Sequence, residues 1–303
     1  MKRVLVTGGT GFVGGRVIRA LLERGDSVTV VTRSPERARG RLPNEVRLVS
    51  WDGTGDGGLE AAMAVDGVLH FAGEQVVGRR WSEALKREIA DSRVKTTERL
   101  VAAMERAPSR PRVLVSASGV GWYGPRGDEP LDESGPLGSD FLASVTRDWE
   151  GAAERAESFG VRVVRVRLGI VFGKGGGALP EMVKPFKLFV GGPIASGKQV
   201  YSWLHLEDAC AIFLRCLDDD SIRGPVNAAS PNAVTSEELA RALGRVLHRP
   251  SGFRVPEAAL RIRFGEGADA LVTGQRAVPS VLLAKGFSFR YPRVEDALAE
   301  ALS

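Results

Sequence analysis

The chain is expected to fold as an α/β protein: a doubly wound parallel sheet with a smaller α+β region at its carboxyl end. Three observations carry this. A strand-like run at the amino end passes through spaced glycines into an amphipathic helix. Strands and helices then alternate at regular length up to Val171, and the character of the chain changes after Phe172.

The first element is Lys2-Arg-Val-Leu-Val-Thr-Gly-Gly-Thr-Gly-Phe-Val-Gly14. Val4, Leu5 and Val6 make the apolar strand, and Val13, Val17 and Leu21 recur at helical spacing after it. Between them Gly8 supplies a tight turn, Gly11 allows a close backbone approach, and Gly14 lets the helix pack on the strand. A helix that begins this way presents free amides and the positive end of its dipole to an anion. Gly8, Thr10, Gly11, Phe12, Val13 and Gly14 are therefore expected to cradle the diphosphate of a dinucleotide. The spacing is Gly-x-x-Gly-x-x-Gly with Gly9 added, not the standard Gly-x-Gly-x-x-Gly. Its place between a strand and a helix is the context the motif requires.

Gly25 ends that helix, and Ser27–Thr32 reads as the second strand. NAD-binding versions of this unit carry an acid at the end of that strand, where it accepts from ribose hydroxyls. Here Thr32 holds the position and Arg33 follows, with Arg37 and Arg39 close behind. A missing acid with a guanidinium beside it favours NADP over NAD; the alternative for Arg33 is an ordinary surface charge. Val46–Ser50 is the third strand and leads to Asp52, which is counted with the cofactor contacts. The fourth, Gly67–Glu74, ends in Ala72 and Gly73, small residues where backbone nears a cofactor, and in Glu74, a carboxylate suited to a ribose. Arg79 and Arg80 follow as weaker contacts of the same kind, and His70 reads as a packed core histidine.

One long helix is expected from Ser82 to Arg106, then a fifth strand, Val113–Ser118, with Ser116 on the cofactor side. A loop over 125–139 and a helix from Phe141 to Ser158 lead to a sixth strand, Val161–Val171. Arg167, near its carboxyl end, is expected beside a cofactor phosphate or the nicotinamide, or else in a salt bridge. Beyond it, glycine-rich loops at Gly173–Gly177 and Gly191–Gly197 flank an apolar helix, Leu179–Leu188, and are read as chain turns rather than phosphate cradles. Helices follow to Leu217, at Ser236–Leu247 and at Val294–Leu302, with a strand-like run at Lys285–Pro292. Residues 1–228 are thus assigned to the nucleotide-binding domain, with 173–204 crossing into a substrate-side lobe, and 229–303 to a small domain covering the cleft.

Composition excludes several classes. The 42 Lys and Arg are interleaved with 37 Asp and Glu, and no basic block with aromatics stands out, so nucleic acid is not an expected partner. The net charge of +5 suits an anionic cofactor or substrate. No apolar run approaches the roughly 18 residues of a membrane span, and the amino end enters a strand at once, with no room for a signal peptide. Cys210 and Cys216 lie on different sides of a helical pattern, which points to a reduced, cytoplasmic chain. Three histidines without clustered cysteines or carboxylates give no metal site, and a homodimer is left open.

Taken together, Thr7–Gly14, Phe71-Ala-Gly73, Ser116-Ala-Ser118 with Tyr123-Gly124, and Val166–Gly173 resemble the extended short-chain dehydrogenase/reductase superfamily, its nucleotide-sugar epimerase/dehydratase group. Ala-Gly-Glu, the triple-glycine loop, Gly-Gly-Pro-Ile, Trp-x-His-x-x-Asp, Gly-Gln-Arg and Gly-Phe-x-Phe-x-Tyr-Pro are similar to an atypical branch of uncharacterised epimerase-family proteins with a short carboxyl-terminal domain. The resemblance implies a Rossmann-like domain, a nicotinamide cofactor and a substrate cleft beneath the carboxyl-terminal domain.

The larger group uses a Tyr with a Lys four residues later on one helix face, where the Lys lowers the phenol pKa. Four residues after Tyr123, Tyr201 and Tyr291 stand Gly127, His205 and Glu295, so no Tyr-x-x-x-Lys occurs. The candidates for a rebuilt acid/base set are Ser118, Tyr123 and His205, the last with Asp208 nearby. Each has a plainer role open to it: Ser118 as a cofactor contact, Tyr123 with Trp122 as a cleft wall, His205 as a helix cap. Two functions follow. The chain is an NADP-dependent oxidoreductase or epimerase acting on a small, nucleotide-sugar-like molecule, or it binds NADP without turnover as a sensing or partner-binding protein.

Overall fold

The computed structural model describes residues 1–52, 58–76 and 78–303. Its first half alternates β1 (Arg3–Thr7), α1 (Phe12–Glu23), β2 (Ser27–Thr32), α2 (Pro35–Arg39), β3 (Arg47–Ser50), α3 (Leu59–Ala62), β4 (Gly67–His70), α4 (Glu83–Asp91), α5 (Val94–Arg106) and β5 (Val113–Gly119). A short β6 (Pro130–Leu131), α6 (Phe141–Glu154), β7 (Arg162–Leu168), β8 (Ile170–Phe172) and α7 (Leu179–Lys187) follow. Then come β9 (Val200–Tyr201), β10 (Trp203–His205), α8 (Leu206–Asp218), β11 (Gly224–Ala228), β12 (Val234–Thr235) and α9 (Ser236–Leu247). The chain closes with α10 (Glu257–Phe264), α11 (Asp269–Val272), β13 (Arg276–Ala277), α12 (Ser280–Ala284) and α13 (Val294–Leu302).

Seven parallel strands pair in the order β3-β2-β1-β4-β5-β7-β11. Both faces are covered, which is why the central strands β1 and β4 and the first half of β5 run almost wholly apolar. Val4 and Val6 face α1 and α8, packing with Ile18, Leu21, Phe213 and Cys216, while Leu5 points the other way, toward Met63, Leu100 and Met104. Burying each such side chain contributes about 1.5–3 kcal/mol. The strand order reverses between β1 and β4, and an open parallel sheet collects ligands at the carboxyl ends of strands where this happens. Gly8 and the segment after His70 meet there.

The structure departs from the sequence expectations at four places. The helix expected over Ser82–Arg106 breaks at Ser92 and Arg93, because the Ser92 hydroxyl donates to the Ile89 carbonyl and accepts from the Glu74 amide. The sixth strand ends at Leu168, since Gly169 donates to the Ala228 carbonyl and lies so near Ser202 that a Cβ would meet its carbonyl oxygen at 2.6 Å. Gly224–Ala228, with a proline that hides it from pattern reading, is a seventh strand at the sheet edge, the place a strand tolerates proline. Lys285–Pro292 forms no strand. Phe287 and Phe289 pack on the main core, while the amides of Arg290 and Tyr291 donate to the Asp208 carboxylate instead of to a neighbouring strand.

A separate core joins Phe172, Val183, Phe186 and Trp203 to Leu239, Leu243, Leu298 and Ala301, so segments from either side of α8 share one lobe. Cys210 and Cys216 are free and buried, and burial pushes both thiols up to about 12.

Candidate functional site

Gly8 has φ +67°, and a Cβ there would lie 2.6 Å from the Phe71 carbonyl carbon. The turn therefore works only with glycine. Gly11 donates to the Gly8 carbonyl at 3.0 Å and caps α1 without any side-chain acceptor. A Cβ on Gly14 would stand 2.6 Å from the Gly8 oxygen. Among the described residues no acceptor meets the amides of Phe12, Val13 and Gly14. They form an open helix end with Thr10 and Gly11 exposed beside it, the arrangement that suits a diphosphate. The Phe12 ring turns away and fills the second glycine loop: Cβ atoms on Gly173, Gly176 and Gly177 would meet it at 3.1, 2.4 and 2.9 Å.

Along the same edge, Thr32 is half-buried and its hydroxyl accepts from the Ser34 amide at 3.3 Å. Arg33 is exposed and has no carboxylate partner among the described residues. Asp52 is exposed beyond β3. Ala72 and Glu74 are half-buried around an exposed Gly73, and the Glu74 carboxylate pairs with Arg79 at 3.1 Å.

The floor beneath this edge is a buried chain of hydrogen bonds. Thr97 Oγ1 donates to the Arg93 carbonyl at 2.6 Å and stands 2.9 Å from His70 Nε2, while Thr7 Oγ1 is 2.6 Å from Nδ1. Because the Thr97 hydrogen is already used, His70 donates from Nε2 and accepts from Thr7 at Nδ1. Burial lowers the imidazole pKa to about 4, so the ring is neutral near pH 7.

The opposite wall, at the ends of β5 and β7, is a second buried cluster. Glu150, on α6, takes Arg167 in a fork, Nε to Oε1 at 2.8 Å and Nη2 to Oε2 at 2.9 Å, with both side chains 2 % exposed. Ser118 Oγ donates to the same Oε1 at 2.6 Å. Arg167 Nη1 donates to the Tyr123 hydroxyl at 3.1 Å, and the guanidinium lies 4.0 Å from the centre of the Trp122 ring. Burial works against the Arg167 charge, but Glu150 more than offsets it, and the pKa sits above its usual value. The Tyr123 hydroxyl hydrogen is shared between the Asp132 carbonyl and Asn227 Oδ1, at 2.8 and 2.7 Å, and burial raises its pKa. Ser116 is buried and donates to the Ala117 carbonyl.

Ser118, Tyr123 and Arg167 are thus brought together, with the Arg167 guanidinium committed to Glu150 and Tyr123. His205 is held elsewhere. Its Nδ1 accepts from the Glu207 amide at the start of α8, its Nε2 meets Glu300 at 2.7 Å, and its ring lies 4.1 Å from that of Tyr291. Sequence reasoning missed Glu150, Asn227 and Arg93. A lone acid on the buried face of α6, between Thr146 and Ala153, was the available signal for Glu150.

The sequence pattern of the NAD dependent epimerase/dehydratase family matches residues 4–229, and that of a domain of unknown function, DUF1731, matches 255–301. This chain belongs to that epimerase/dehydratase family. Among its relatives, the epimerase family protein SDR39U1 of Homo sapiens is 36% identical over 305 residues, covering 99% of this chain and 100% of that one. The chloroplastic SDR39U1 homolog of Arabidopsis thaliana is 38% identical over 300 residues, 97% of this chain and 85% of its own. The crystal structure of human SDR39U1 with NADPH superposes with a TM-score of 0.89 at 34% identity, covering 99% of this chain and 98% of that one. MoeE5 in complex with UDP-glucose and NAD, at 21% identity and a TM-score of 0.80, covering 99% and 97%, shares the fold. The family is NAD(P)-dependent, and the parallel sheet is Rossmann-like. No helix among the described residues is long and apolar enough to cross a membrane.

Proposed function

We propose that the chain binds NADP(H) and uses it in oxidoreductase or epimerase chemistry on a small, nucleotide-sugar-like molecule, with an acid/base set that lacks Tyr-x-x-x-Lys. The observation that carries the cofactor assignment is the open end of α1 together with the unpaired Arg33 where an acid would favour NAD. The NADPH in the human relative's structure supports it. The cofactor would supply or accept a hydride, with Gly8–Gly14 holding its diphosphate and Thr32 and Arg33 its adenosine side. Ser118 is the favoured acid/base contact. Its own hydrogen is given to Glu150, which leaves its lone pairs for an incoming substrate hydroxyl. Tyr123, Arg167 and Glu150 hold it in place.

The test is NADPH oxidation by the purified chain against a panel of carbonyl compounds and nucleotide sugars. Turnover that falls at least a hundredfold in Ser118→Ala supports the assignment, on the scale of a lost general acid/base. Undiminished turnover in that variant removes Ser118 from the chemistry.

A second reading has its own observation. The Ser118 and Tyr123 hydroxyls already have buried partners, with 4% and 0% exposure. A chain that binds NADPH tightly but turns over nothing on the panel, and captures a protein partner only when loaded, would be a cofactor sensor. The division of the chain at residue 228 belongs to the same proposal and is checked by limited proteolysis; cytoplasmic residence is checked by fractionation.

A further inference from the structure

Arg93 stands between α4 and α5, directly behind the segment that leaves β4. Its guanidinium donates from Nη2 to the Glu74 carbonyl at 2.8 Å and from Nη1 to the Ile89 carbonyl at 3.1 Å. Both acceptors are neutral. Among the described residues it has no carboxylate within ion-pair distance; the Glu74 carboxylate nearby is paired with Arg79. Other well-covered arginines differ: Arg16 has Glu207, Arg165 has Glu154, and Arg167 has Glu150. Burial pulls the Arg93 pKa down to about 10, against a smaller opposing effect of the nearby Glu74 carboxylate.

The indole of Trp149 packs 5.2 Å from the Arg93 guanidinium, a cation–π contact that covers the charge without neutralising it. Arg93 itself faces the cofactor edge, not the protein interior alone. Gly73 is exposed, yet a Cβ on it would sit 3.2 Å from Arg93 Cζ. The Thr7–His70–Thr97 chain ends on the Arg93 carbonyl and so fixes this residue to the strand that carries the glycine turn. The two carbonyls satisfy hydrogen bonds of the guanidinium but do not balance its charge; an anion does.

We propose that Arg93 is an anion contact for a diphosphate bound beside Gly73, complementing the open end of α1. The diphosphate has two sources, the dinucleotide's own or that of a nucleotide-sugar-type substrate, and the inference rests on the dinucleotide lying along the glycine turn. The experiment titrates full-length wild type, Arg93→Gln, Arg93→Lys and Gly73→Ala with NADPH by fluorescence and with UDP by calorimetry, at two salt concentrations. Arg93→Gln is expected to weaken one ligand by about tenfold to a hundredfold and to flatten its salt dependence, with Arg93→Lys recovering most of the loss. Gly73→Ala, which keeps the charge but crowds it, weakens the same ligand about fivefold. Loss on NADPH identifies the cofactor's diphosphate; loss on UDP identifies the substrate's. Binding of both ligands within twofold of wild type in Arg93→Gln overturns the proposal. If that variant does not fold, unchanged binding in Gly73→Ala does the same. Equal losses in Arg93→Lys and Arg93→Gln also overturn it, since they assign Arg93 a packing role only. Wild type that binds no nicotinamide dinucleotide refutes the cofactor assignment instead, and the UDP arm then judges Arg93 alone.

Discussion

Two glycine-rich stretches meet at the start of α1, Gly8–Gly14 and Gly173–Gly177, and they have opposite contents. In the first the missing Cβ atoms are replaced by backbone: Phe71 and Ala72 against Gly8, and the Gly8 carbonyl against Gly14. Backbone held on both sides cannot move aside, so the turn stays rigid and the amides of α1 stay open. In the second the ring of Phe12 reaches all three of Gly173, Gly176 and Gly177, joined by Leu206 at Gly173 and by the Val171 carbonyl at Gly177. On the proposed reading the first loop cradles a ligand, whereas the second is a socket for Phe12. Composition does not separate them; the atom standing where each Cβ would be does.

The sharpest way to break this contrast is Gly8→Ala. A Cβ at positive φ and 2.6 Å from a backbone carbonyl is expected to cost about 3 kcal/mol or more and to abolish NADPH binding. Denaturant unfolding and fluorescence titration measure both. Gly25→Ala is the control: φ is +83° but nothing lies within 4 Å, and the expected loss is only about 1 kcal/mol. Equal losses at the two glycines would remove the backbone-contact argument.

Nearly as large is a pH effect on the floor of the first loop. The folded-state pKa of His70, about 4, lies below the 6.5 of an ordinary imidazole. The unfolded chain therefore binds more protons between those values, and stability is complete above pH 6.5 and falls as pH drops toward 4. The loss is about 3 kcal/mol from this one group, and His70→Asn should flatten that part of the stability curve. An unchanged slope in the variant would assign the acid sensitivity to other groups.

The second loop should be more forgiving. Gly176→Ala pushes on a ring that rotates, and about 1–3 kcal/mol is expected, with NADPH affinity far less affected than by Gly8→Ala. Combining it with Phe12→Ala empties the socket, so the double variant should lose less stability than the two single losses added together. Strict additivity would mean the ring and the loop do not bear on each other. Smallest is Arg33→Ala, expected to reduce the preference for NADPH over NADH about tenfold, one charged contact, without altering stability. If both affinities hold, the 2′-phosphate does not sit on Arg33.

Much of the nucleotide edge was legible because its signals are local. Val4–Val6, the glycine spacing and the apolar repeat of α1 lie within 21 residues of each other, and Thr32-Arg33 follows on the next strand. The Ser118 wall was only half legible. Its members come from β5, α6, β7 and β11, and nothing in the neighbourhood of Arg167 announces that Glu150 will neutralise it. Lys285–Pro292 misled for the same reason in reverse: its alternating aromatics do face a core, but its amides belong to Asp208, which lies far away in sequence.

The sequence by itself determined most of the element types, the parallel sheet and the turn with its unpaired helix amides, because backbone propensity and hydrophobic period act over a few residues. Tertiary structure alone decided which polar groups found partners. It matched Arg167 to Glu150, tied His205 to Glu300, and left Arg33 and Arg93 without a carboxylate partner at the carboxyl edge of the sheet. Whether a buried charge is neutralised depends on elements brought together by the fold, and no spacing along the chain carries that information.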